Sequence, residues 1–282
     1  MKTFAGINQK YATKENASIY LQSIPYDGTS TWGKGADKGF AAFLDASENM
    51  ELYDIEMDAE VYRNGIHMLQ EAPNFSSPEN MFQYTYEHTK ALLKENKLLT
   101  FFGGEHSISI GLIKAHYEHF DNFTVLQLDA HTDLRSEYLG TPYNHACALY
   151  DANRNTNLIQ VGIRSMDASE LPELKKENVF FAKDIVGQNN WHNSAIERMT
   201  DNVYITLDLD VFDPSIMPAT GTPEPGGMDW YGVISFLRKV FEKRNVVGFD
   251  IVELAPIEGM HAPQFLAAKL YYKMLSYKFS KK

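Results

Sequence analysis

Three side chains that can bind a metal ion follow an apolar run near the middle of the chain. Asp129, His131 and Asp133 stand two residues apart, directly after the run 125–128. Because successive side chains of an extended segment alternate between its two faces, all three point to roughly the same side. Charged groups that leave a buried strand are costly to bury unless a positive charge neutralises them. The spacing therefore favours a cation site over a solvated loop.

A second pair of carboxylates follows another apolar run. Asp208 and Asp210 come directly after the run 203–207, again two residues apart. Two neighbouring acids repel each other unless a cation bridges them or one of them is protonated. Two strand ends of this kind in one chain make metal binding the favoured interpretation.

A histidine occupies a third strand end, in the segment Gly103-Gly104-Glu105-His106-Ser107. The two glycines allow a tight turn from strand to helix, which places His106 at the mouth of the sheet. Alone this is weak evidence for a ligand, since a histidine near a helix start is more often a surface residue. His106 becomes a candidate ligand because the same chain has two carboxylate-rich strand ends.

The donor set indicates which metal these residues would bind. The six candidate ligands are four carboxylates and two imidazoles, namely Asp129, Asp133, Asp208, Asp210, His106 and His131. An oxygen-dominated set suits manganese or magnesium better than zinc, and two imidazoles favour manganese. Four negative charges match two divalent cations. Two such ions lower the pKa of a shared water, so the expected chemistry is hydrolysis.

The elements that must position these residues follow an α/β pattern. Continuous apolar runs, typical of strands covered on both faces of a parallel sheet, predict strands at 18–24, 97–102, 123–129, 158–163, 203–208 and 246–252. Helical patterns separate them at 78–96, 107–120, 229–243 and about 262–278, with Asp229 as a predicted N-cap. Ligands of such sheets bind beyond the carboxyl ends of the strands. No segment resembles a linker, so we expect a single domain over residues 1–282.

Composition and charge narrow the class of protein. The 282 residues include 37 acidic and 26 basic side chains, and the net charge of −11 makes nucleic acid an unsuitable partner. Cys147 is the single cysteine, and the first residues lack the apolar core of a signal peptide. No window approaches the roughly 20 apolar residues of a membrane span. We therefore expect a cytoplasmic protein.

The three strand-end motifs resemble, in order and spacing, those of the ureohydrolase family. These binuclear manganese enzymes include arginase, agmatinase, guanidinobutyrase and formimidoylglutamase. The resemblance runs from the segment Pro-Tyr-Asp-Gly-Thr at 25–29 to Glu253, nearly the whole chain. It implies a three-layer α/β/α sandwich with a mainly parallel central sheet and two Mn²⁺ per chain on the six ligands above. It also implies a homo-oligomer, a trimer or a hexamer.

The resemblance further implies roles in catalysis. His145, in the segment Tyr-Asn-His-Ala-Cys at 143–147, matches the family's active-site histidine, which handles protons or contacts substrate. Glu253, in the segment 250–256, matches the acid that holds the guanidinium group of the substrate. Asp133 would relay the proton of the attacking hydroxide. The products would be urea and an amine.

Two features fall outside the family pattern. The segment 33–43 lacks the Gly-Pro step and the arginine that family members commonly carry there, which affects local packing and no metal ligand. His116 and His119 form an HxxH pair inside a helical pattern. Because no motif supplies a matching acid, we expect both to be ordinary helix-surface residues.

The loop after Asp133 bears on the substrate. Its pattern, Asp-Leu-Arg-Ser-Glu-Tyr, is similar to the agmatinases of bacteria, whereas arginases carry Asn and Ser there to recognise a carboxylate. Agmatine is a dication, and Glu137 in this loop would suit it. The sequence therefore predicts an agmatinase that forms putrescine, a polyamine, and urea. Guanidinobutyrate and arginine stay open, because Arg135 could meet a substrate carboxylate.

Two readings from other classes of protein also remain. A non-catalytic guanidine-binding protein would be marked by the loss of a metal ligand, and all six are present. An amide hydrolase of the related deacetylase type would hold a single zinc ion. The number and kind of metal ions per chain separate both from a ureohydrolase.

Overall fold

One parallel sheet forms the centre of the computed structural model, which describes residues 2–280. Its strands lie in the order β2-β1-β3-β8-β7-β4-β5-β6, and every neighbouring pair is parallel. The strands are β1 (Ile19–Ile24), β2 (Ile66–Met68), β3 (Leu98–Gly103), β4 (Phe123–Leu128), β5 (Asn157–Ile163), β6 (Val179–Phe181), β7 (Asn202–Asp208) and β8 (Asn245–Val252).

Helices cover both faces of this sheet. They are α1 (Gly39–Ser47), α2 (Pro78–Leu93), α3 (Ser109–Tyr117), α4 (Tyr150–Asn155), α5 (Ala182–Ile185), α6 (His192–Glu197), α7 (Trp230–Lys243) and α8 (Ala262–Phe279). Among the described residues, none of these helices is both long enough and apolar enough to cross a membrane.

Two apolar cores fill the space between helices and sheet. Side chains of α1, α7 and α8 share one core with Phe102 of β3, and side chains of α2, α3 and α4 share the other with Phe101. Adjacent residues of a strand point to opposite faces, so the two cores lie on opposite sides of the sheet. The predicted three-layer α/β/α sandwich is confirmed, and the mainly parallel sheet is parallel throughout residues 2–280.

The predicted elements match the observed ones closely. All six predicted strands are confirmed within one residue at each end. The four predicted helices correspond to α2, α3, α7 and α8, and the Asp229 side chain accepts a hydrogen bond from the backbone N–H of Gly232, as an N-cap does. Sequence patterns missed β2 and β6, because three-residue edge strands give no periodicity to recognise. They also missed α1, α4, α5 and α6, which have nine residues or fewer.

The segment that departs from the family pattern is well packed. Residues 39–47 of this region form α1, and Phe43 stacks on Phe102 of the sheet with ring centroids 4.1 Å apart. Its other neighbours include Phe4 and Tyr271, whose ring centroids lie 5.7 and 5.4 Å from that of Phe43. Aromatic packing thus anchors this helix to the sheet.

The strand order explains how the candidate ligands meet. β3, β8, β7 and β4 are consecutive in the sheet, although the segments between them in the sequence are long. Parallel strands end at the same edge, so the residues that follow these four strands face one another. The candidate site lies at this edge.

The prediction for one histidine of the HxxH pair is wrong. His119 is exposed, but His116 is fully buried on the inner side of α3, with its ring centroid 4.5 Å from that of Tyr204. Its Nδ1 lies 2.7 Å from the carbonyl oxygen of Leu112, and burial lowers its pKa to about 4. The surface prediction failed because α3 ends at Tyr117, so that His119 lies in the turn after the helix and only His116 is on its inner face.

We predict that Gly248→Ala destabilises the fold. A Cβ atom at this position of β8 would lie 2.7 Å from His116 Nε2 and 3.1 Å from the carbonyl oxygen of Leu99. Overpacking of this kind lowers the free energy of unfolding by about 1–3 kcal/mol, which urea denaturation measures. In a His116→Ala background the cost should shrink, because the cavity accepts the added methyl group. An unchanged urea midpoint for Gly248→Ala alone would contradict the prediction.

Candidate metal centre and active site

The three strand-end motifs meet in one half-open cavity of about 280 Å³ at the carboxyl edge of the sheet. Five of the six predicted ligands line it, together with His145 and Glu253, and the sixth, Asp129, is completely buried beside them. The sequence therefore identified residues that the fold brings together. Their roles as ligands and catalytic groups depend on the geometry and charges of the site.

His106 lies at the centre of a first group of acids. Its Nδ1 atom is 3.1 Å from Asp129 Oδ2, 3.1 Å from Asp133 Oδ2 and 3.4 Å from Asp208 Oδ2. Ligand atoms of His106, Asp129 and Asp208 all lie within 4.8 Å of one another, a spacing that could hold a metal ion. This group is almost inaccessible to solvent.

A second group lies beside the first and shares a residue with it. His131 Nδ1 is 2.9 Å from Asp210 Oδ2 and 3.6 Å from Asp129 Oδ1. Ligand atoms of Asp129, His131 and Asp210 also lie within 4.8 Å of one another. Because Asp129 belongs to both groups, with one oxygen facing each histidine, two cations bound there would be neighbours.

Hydrogen bonds behind His106 determine which of its nitrogens is free. His106 Nε2 lies 2.9 Å from Thr206 Oγ1, and this hydroxyl donates to Asp250 Oδ1 at 2.7 Å. The hydroxyl proton is therefore directed to Asp250, so Nε2 carries a proton and donates to Thr206. Once Nδ1 has released its proton, its lone pair faces three carboxylates, and Nδ1 has no other hydrogen-bond partner within the described part of the chain. Converging lone pairs of this kind fit a bound cation.

Burial and mutual repulsion control the charges of the cluster. Burial and the charge of Asp129 raise the pKa of Asp133 to about 7, and burial with the charges of Asp210 and Asp129 raises that of Asp208 well above its ordinary value. Burial opposes protonation of His106, but its three carboxylate neighbours hold its pKa well above its ordinary value. Without a cation, the cluster therefore retains protons. A divalent ion would replace them as the source of positive charge.

Two of the candidate residues have an unusual backbone conformation. Asp133 has φ 52° and Glu253 has φ 68°, in the left-handed region that non-glycine residues rarely adopt. The backbone N–H of Glu253 donates to the carbonyl oxygen of Gly104, and the N–H of Leu149 donates to that of Asp133. These bonds help to hold a strained chain where the site requires these carboxylates.

Several polar residues that support the site were missed by the sequence analysis. Gln127 Nε2 donates to Asp129 Oδ2 at 2.7 Å, and Gln160 Nε2 donates to Gln127 Oε1 at 2.6 Å. Arg164 donates to the carbonyl oxygens of Asp210 and Glu224 at 2.6 and 2.8 Å, which ties together the loops after β7. A glutamine inside an apolar run, as at Gln127 and Gln160, is the signal that could have revealed the first two.

His145 and Glu253 both border the cavity. Glu253 is 9% exposed, and its Oε1 accepts a hydrogen bond from the backbone N–H of His106 at 2.8 Å. Burial and the charge of Glu105 raise the pKa of Glu253 well above its ordinary value. Burial lowers the pKa of His145 to about 4, and the ring nitrogen Nδ1 lies 3.1 Å from Thr29 Oγ1. A neutral histidine and a carboxyl group therefore flank the candidate metal groups.

The mouth of the cavity differs from the expectation. Glu137, expected to suit the cationic substrate, is exposed and is not among the residues that line this cavity. Asp167 lines the mouth instead, with Oδ2 3.5 Å from Arg135 Nη2. The Arg135 guanidinium lies over the Tyr138 ring at 4.3 Å. An acid, a cation and an aromatic ring thus border the entrance.

We predict that Asp250→Asn weakens metal binding. Asp250 accepts hydrogen bonds from both Thr206 and Tyr204, whereas an asparagine has one acceptor oxygen and no charge, so the bond that orients Thr206 and His106 is weakened. Losing such support typically lowers metal affinity about 10–100-fold, and electron paramagnetic resonance of free Mn²⁺ measures the change. The control is Asp201→Asn, at an exposed position one residue before β7 begins and far along the strand from the site. Equal affinity in the variant and the wild type would refute this role.

Manganese affinity should increase with pH. Asp133, with a pKa of about 7, and His106, with a pKa well above its ordinary value of 6.5, hold protons near pH 6 in the metal-free protein and must release them when a cation binds. The raised pKa of Asp208 acts in the same direction. Each released proton changes the dissociation constant by roughly tenfold per pH unit. Mn²⁺ titrations at pH 6, 7 and 8 provide the measurement. Constant affinity over this interval would show that the site binds no displaceable protons.

Comparisons with known proteins agree with this geometry. Residues 17–276 match the model of the Arginase family. The N(1)-aminopropylagmatine ureohydrolase of Synechocystis sp. is 34% identical over 275 residues, which cover 93% of this chain and 89% of the relative. An N(1)-aminopropylagmatine ureohydrolase of Thermus thermophilus is 36% identical over 274 residues, with 96% and 93% covered.

A solved structure shares the fold over almost the whole chain. The agmatine ureohydrolase of Thermoplasma volcanium has a TM-score of 0.88 and 29% identity, with 99% of this chain and 95% of that chain covered. The resemblance to ureohydrolases that the motifs indicated is thus confirmed. On the family match over most of its length, this chain is a hydrolase that belongs to the arginase family.

Proposed function

We propose that this protein is a binuclear manganese ureohydrolase that cleaves agmatine, or its N1-aminopropyl derivative, to urea and a polyamine. The observation that carries the proposal is the pair of candidate metal groups joined by Asp129, next to the buried carboxyl group of Glu253 in the same cavity. The two substrates share a guanidinium group on an aliphatic amine. The second is included because two relatives more than 30% identical are named for it.

The donor set fits two divalent cations. His106, Asp129, Asp133 and Asp208 would hold one of them, and His131, Asp129 and Asp210 the other. Carboxylate oxygens and imidazole nitrogens, without a thiolate, suit manganese. When bound, the two cations would supply Lewis-acid chemistry that makes hydroxide available at neutral pH.

The guanidinium group would be held by Glu253. One of its oxygens already accepts from the backbone N–H of His106, and the carboxyl group lines the cavity. The remaining acceptor positions can take charge-assisted hydrogen bonds from guanidinium N–H groups. The planar carbon of the guanidinium is thereby oriented toward the metal groups.

Protons would pass through Asp133 and His145. Asp133, whose Oδ2 lies in the cavity 3.1 Å from His106 Nδ1, would take the proton from the attacking nucleophile and pass it to the departing nitrogen. His145 lines the cavity and contacts Thr29 through Nδ1, so its other ring nitrogen would take a proton from solvent and pass it to the departing amine. An amine leaves readily only after protonation, so both transfers serve collapse of the tetrahedral intermediate.

The mouth of the cavity supports a substrate with a cationic tail. Asp167 offers an exposed carboxylate at the entrance, where it can attract an amine of the substrate. Arg135 Nη2 lies 3.5 Å from Asp167 Oδ2. Asp167 partly neutralises the Arg135 guanidinium and so reduces the attraction of Arg135 for the carboxylate of arginine or guanidinobutyrate. Because this pair is neutral overall, the preference for polyamine guanidines over guanidino acids would come from the net charge of −11, which attracts a dication.

The family resemblance supports three further parts of the proposal. We propose one ureohydrolase domain over residues 1–282, assembly into a homo-oligomer of three or six chains, and a place in cytoplasmic polyamine biosynthesis. The net charge of −11 also argues against nucleic acid as a partner.

A substrate panel tests the activity. We expect the Mn²⁺-loaded protein to release urea faster from agmatine or N1-aminopropylagmatine than from arginine, guanidinobutyrate, guanidinopropionate or formimidoylglutamate, and to contain about two Mn²⁺ per chain. Asp210→Asn, which removes a metal ligand but keeps the shape of the side chain, is the matched control. Its rate of urea release should fall close to that of the metal-free protein.

Other outcomes would change the assignment. Fastest turnover of a guanidino acid would reject the substrate class. One zinc ion per chain would favour an amide hydrolase, and binding of guanidines without urea release would indicate a non-catalytic protein.

A further inference from the structure

His145 is connected to a buried glutamate that the proposed mechanism does not use. Glu105, the residue before the candidate ligand His106, is completely buried. The Thr29 hydroxyl lies between the two residues, 2.6 Å from Glu105 Oε1 and 3.1 Å from His145 Nδ1. The same hydroxyl oxygen also accepts from the backbone N–H of His145 at 3.0 Å.

Five donors converge on the Glu105 carboxyl group. Thr29 and Ser30 each donate a backbone N–H and a hydroxyl, at 2.6–3.0 Å, and Ser107 donates its hydroxyl at 2.5 Å. Burial raises the pKa of Glu105, but all five neighbours donate and an ionised carboxylate only accepts, so its roughly four lone-pair positions are all used and one is shared. Hydrogen bonds from backbone N–H groups also favour the anion over the acid.

An ionised Glu105 determines the direction of each bond in the chain. The single proton of the Thr29 hydroxyl points to Glu105, so the two lone pairs of its oxygen are left for the backbone N–H and the Nδ1 of His145. Nδ1 must then carry a proton and donate it. The Thr29 hydroxyl has then donated its only proton and used both lone pairs as acceptors, so it can form no further hydrogen bond.

We propose that Glu105, acting through the Thr29 hydroxyl, holds His145 as the tautomer protonated on Nδ1 and leaves Nε2 as the base that faces the cavity. Thr29 and Glu105 are thus positioning residues, since neither needs to touch the substrate. The tautomer follows from the hydrogen bonds alone. Its effect on urea release rests on the proposed function, in which His145 exchanges a proton with the leaving amine.

The arrangement also couples two parts of the site. Glu105 anchors the backbone of residues 29–30 and directly precedes His106 in the chain. The position of the metal-binding imidazole and the orientation of the proton-handling imidazole therefore depend on one carboxylate.

Two substitutions at Thr29 provide a matched test. Thr29→Val keeps the shape of the side chain and removes the hydroxyl, whereas Thr29→Ser keeps the hydroxyl. Solid-state ¹⁵N NMR of the full-length protein, labelled at the histidine rings and loaded with diamagnetic Mg²⁺, reports the tautomer at pH 8. The spectrum of His145→Asn identifies the His145 signals among those of the nine histidines.

The tautomer and the kinetics should change together. We expect His145 to be protonated on Nδ1 in the wild type and in Thr29→Ser, and to gain the Nε2-protonated form in Thr29→Val. With agmatine, kcat should fall more than tenfold in Thr29→Val while KM changes less than threefold, and Thr29→Ser should recover most of the rate. Mn²⁺ content and melting temperature serve as controls for folding and metal loading.

Two results would overturn the inference. A wild-type His145 protonated on Nε2 would mean that Glu105 is protonated and that the bonds run in the opposite direction. An unchanged tautomer in Thr29→Val would mean that the hydroxyl does not control it. The expected tautomers without urea release from any guanidino compound would refute the proposed function and leave this inference standing. If Thr29→Val fails to fold, a wild-type His145 protonated on Nε2 would still overturn the inference.

Discussion

Repulsion among buried carboxylates is the constraint on which the rest of this structure depends. Four aspartates and Glu253 lie at one edge of the sheet, almost out of contact with water. Burial makes their charges costly, and proximity makes them mutually unfavourable. The metal-free protein offsets the repulsion by holding protons, while divalent cations would offset it with fixed positive charge. A site that is unfavourable when empty is also one that binds cations strongly.

The surrounding residues work to keep the repelling groups in place. Side-chain hydroxyls and amides hold these groups through hydrogen bonds. Thr206 links His106 to Asp250, and Gln127 donates to Asp129. Each hydroxyl has one proton, so a bond on one side determines the direction of the bond on the other. A carboxylate can thus determine which nitrogen of a histidine is protonated even though the two groups are not in contact.

Much of the fold and site could be predicted because the informative residues are local in sequence. Asp129, His131 and Asp133 follow their strand directly, so spacing alone indicated a common direction. The supporting contacts could not be predicted in this way, since Thr29 and Glu105 are 76 residues apart in the chain. The errors have the same origin: the orientations of His116 and Glu137 depend on which side of a helix or loop faces the rest of the protein. Local patterns do not contain that information.

The position of β8 has a consequence for how the protein is made. β8 lies between β3 and β7, so no backbone hydrogen bonds of the sheet join the β2-β1-β3 half to the β7-β4-β5-β6 half until β8 is inserted. His106 belongs to the first half, and the other five candidate ligands belong to the second. On the ribosome, residues 245–252 emerge after both halves have been synthesised, and contacts so distant in sequence form slowly. Assembly of the complete cation site therefore depends on this late strand, because β8 joins the half that carries His106 to the half that carries the other five candidate ligands.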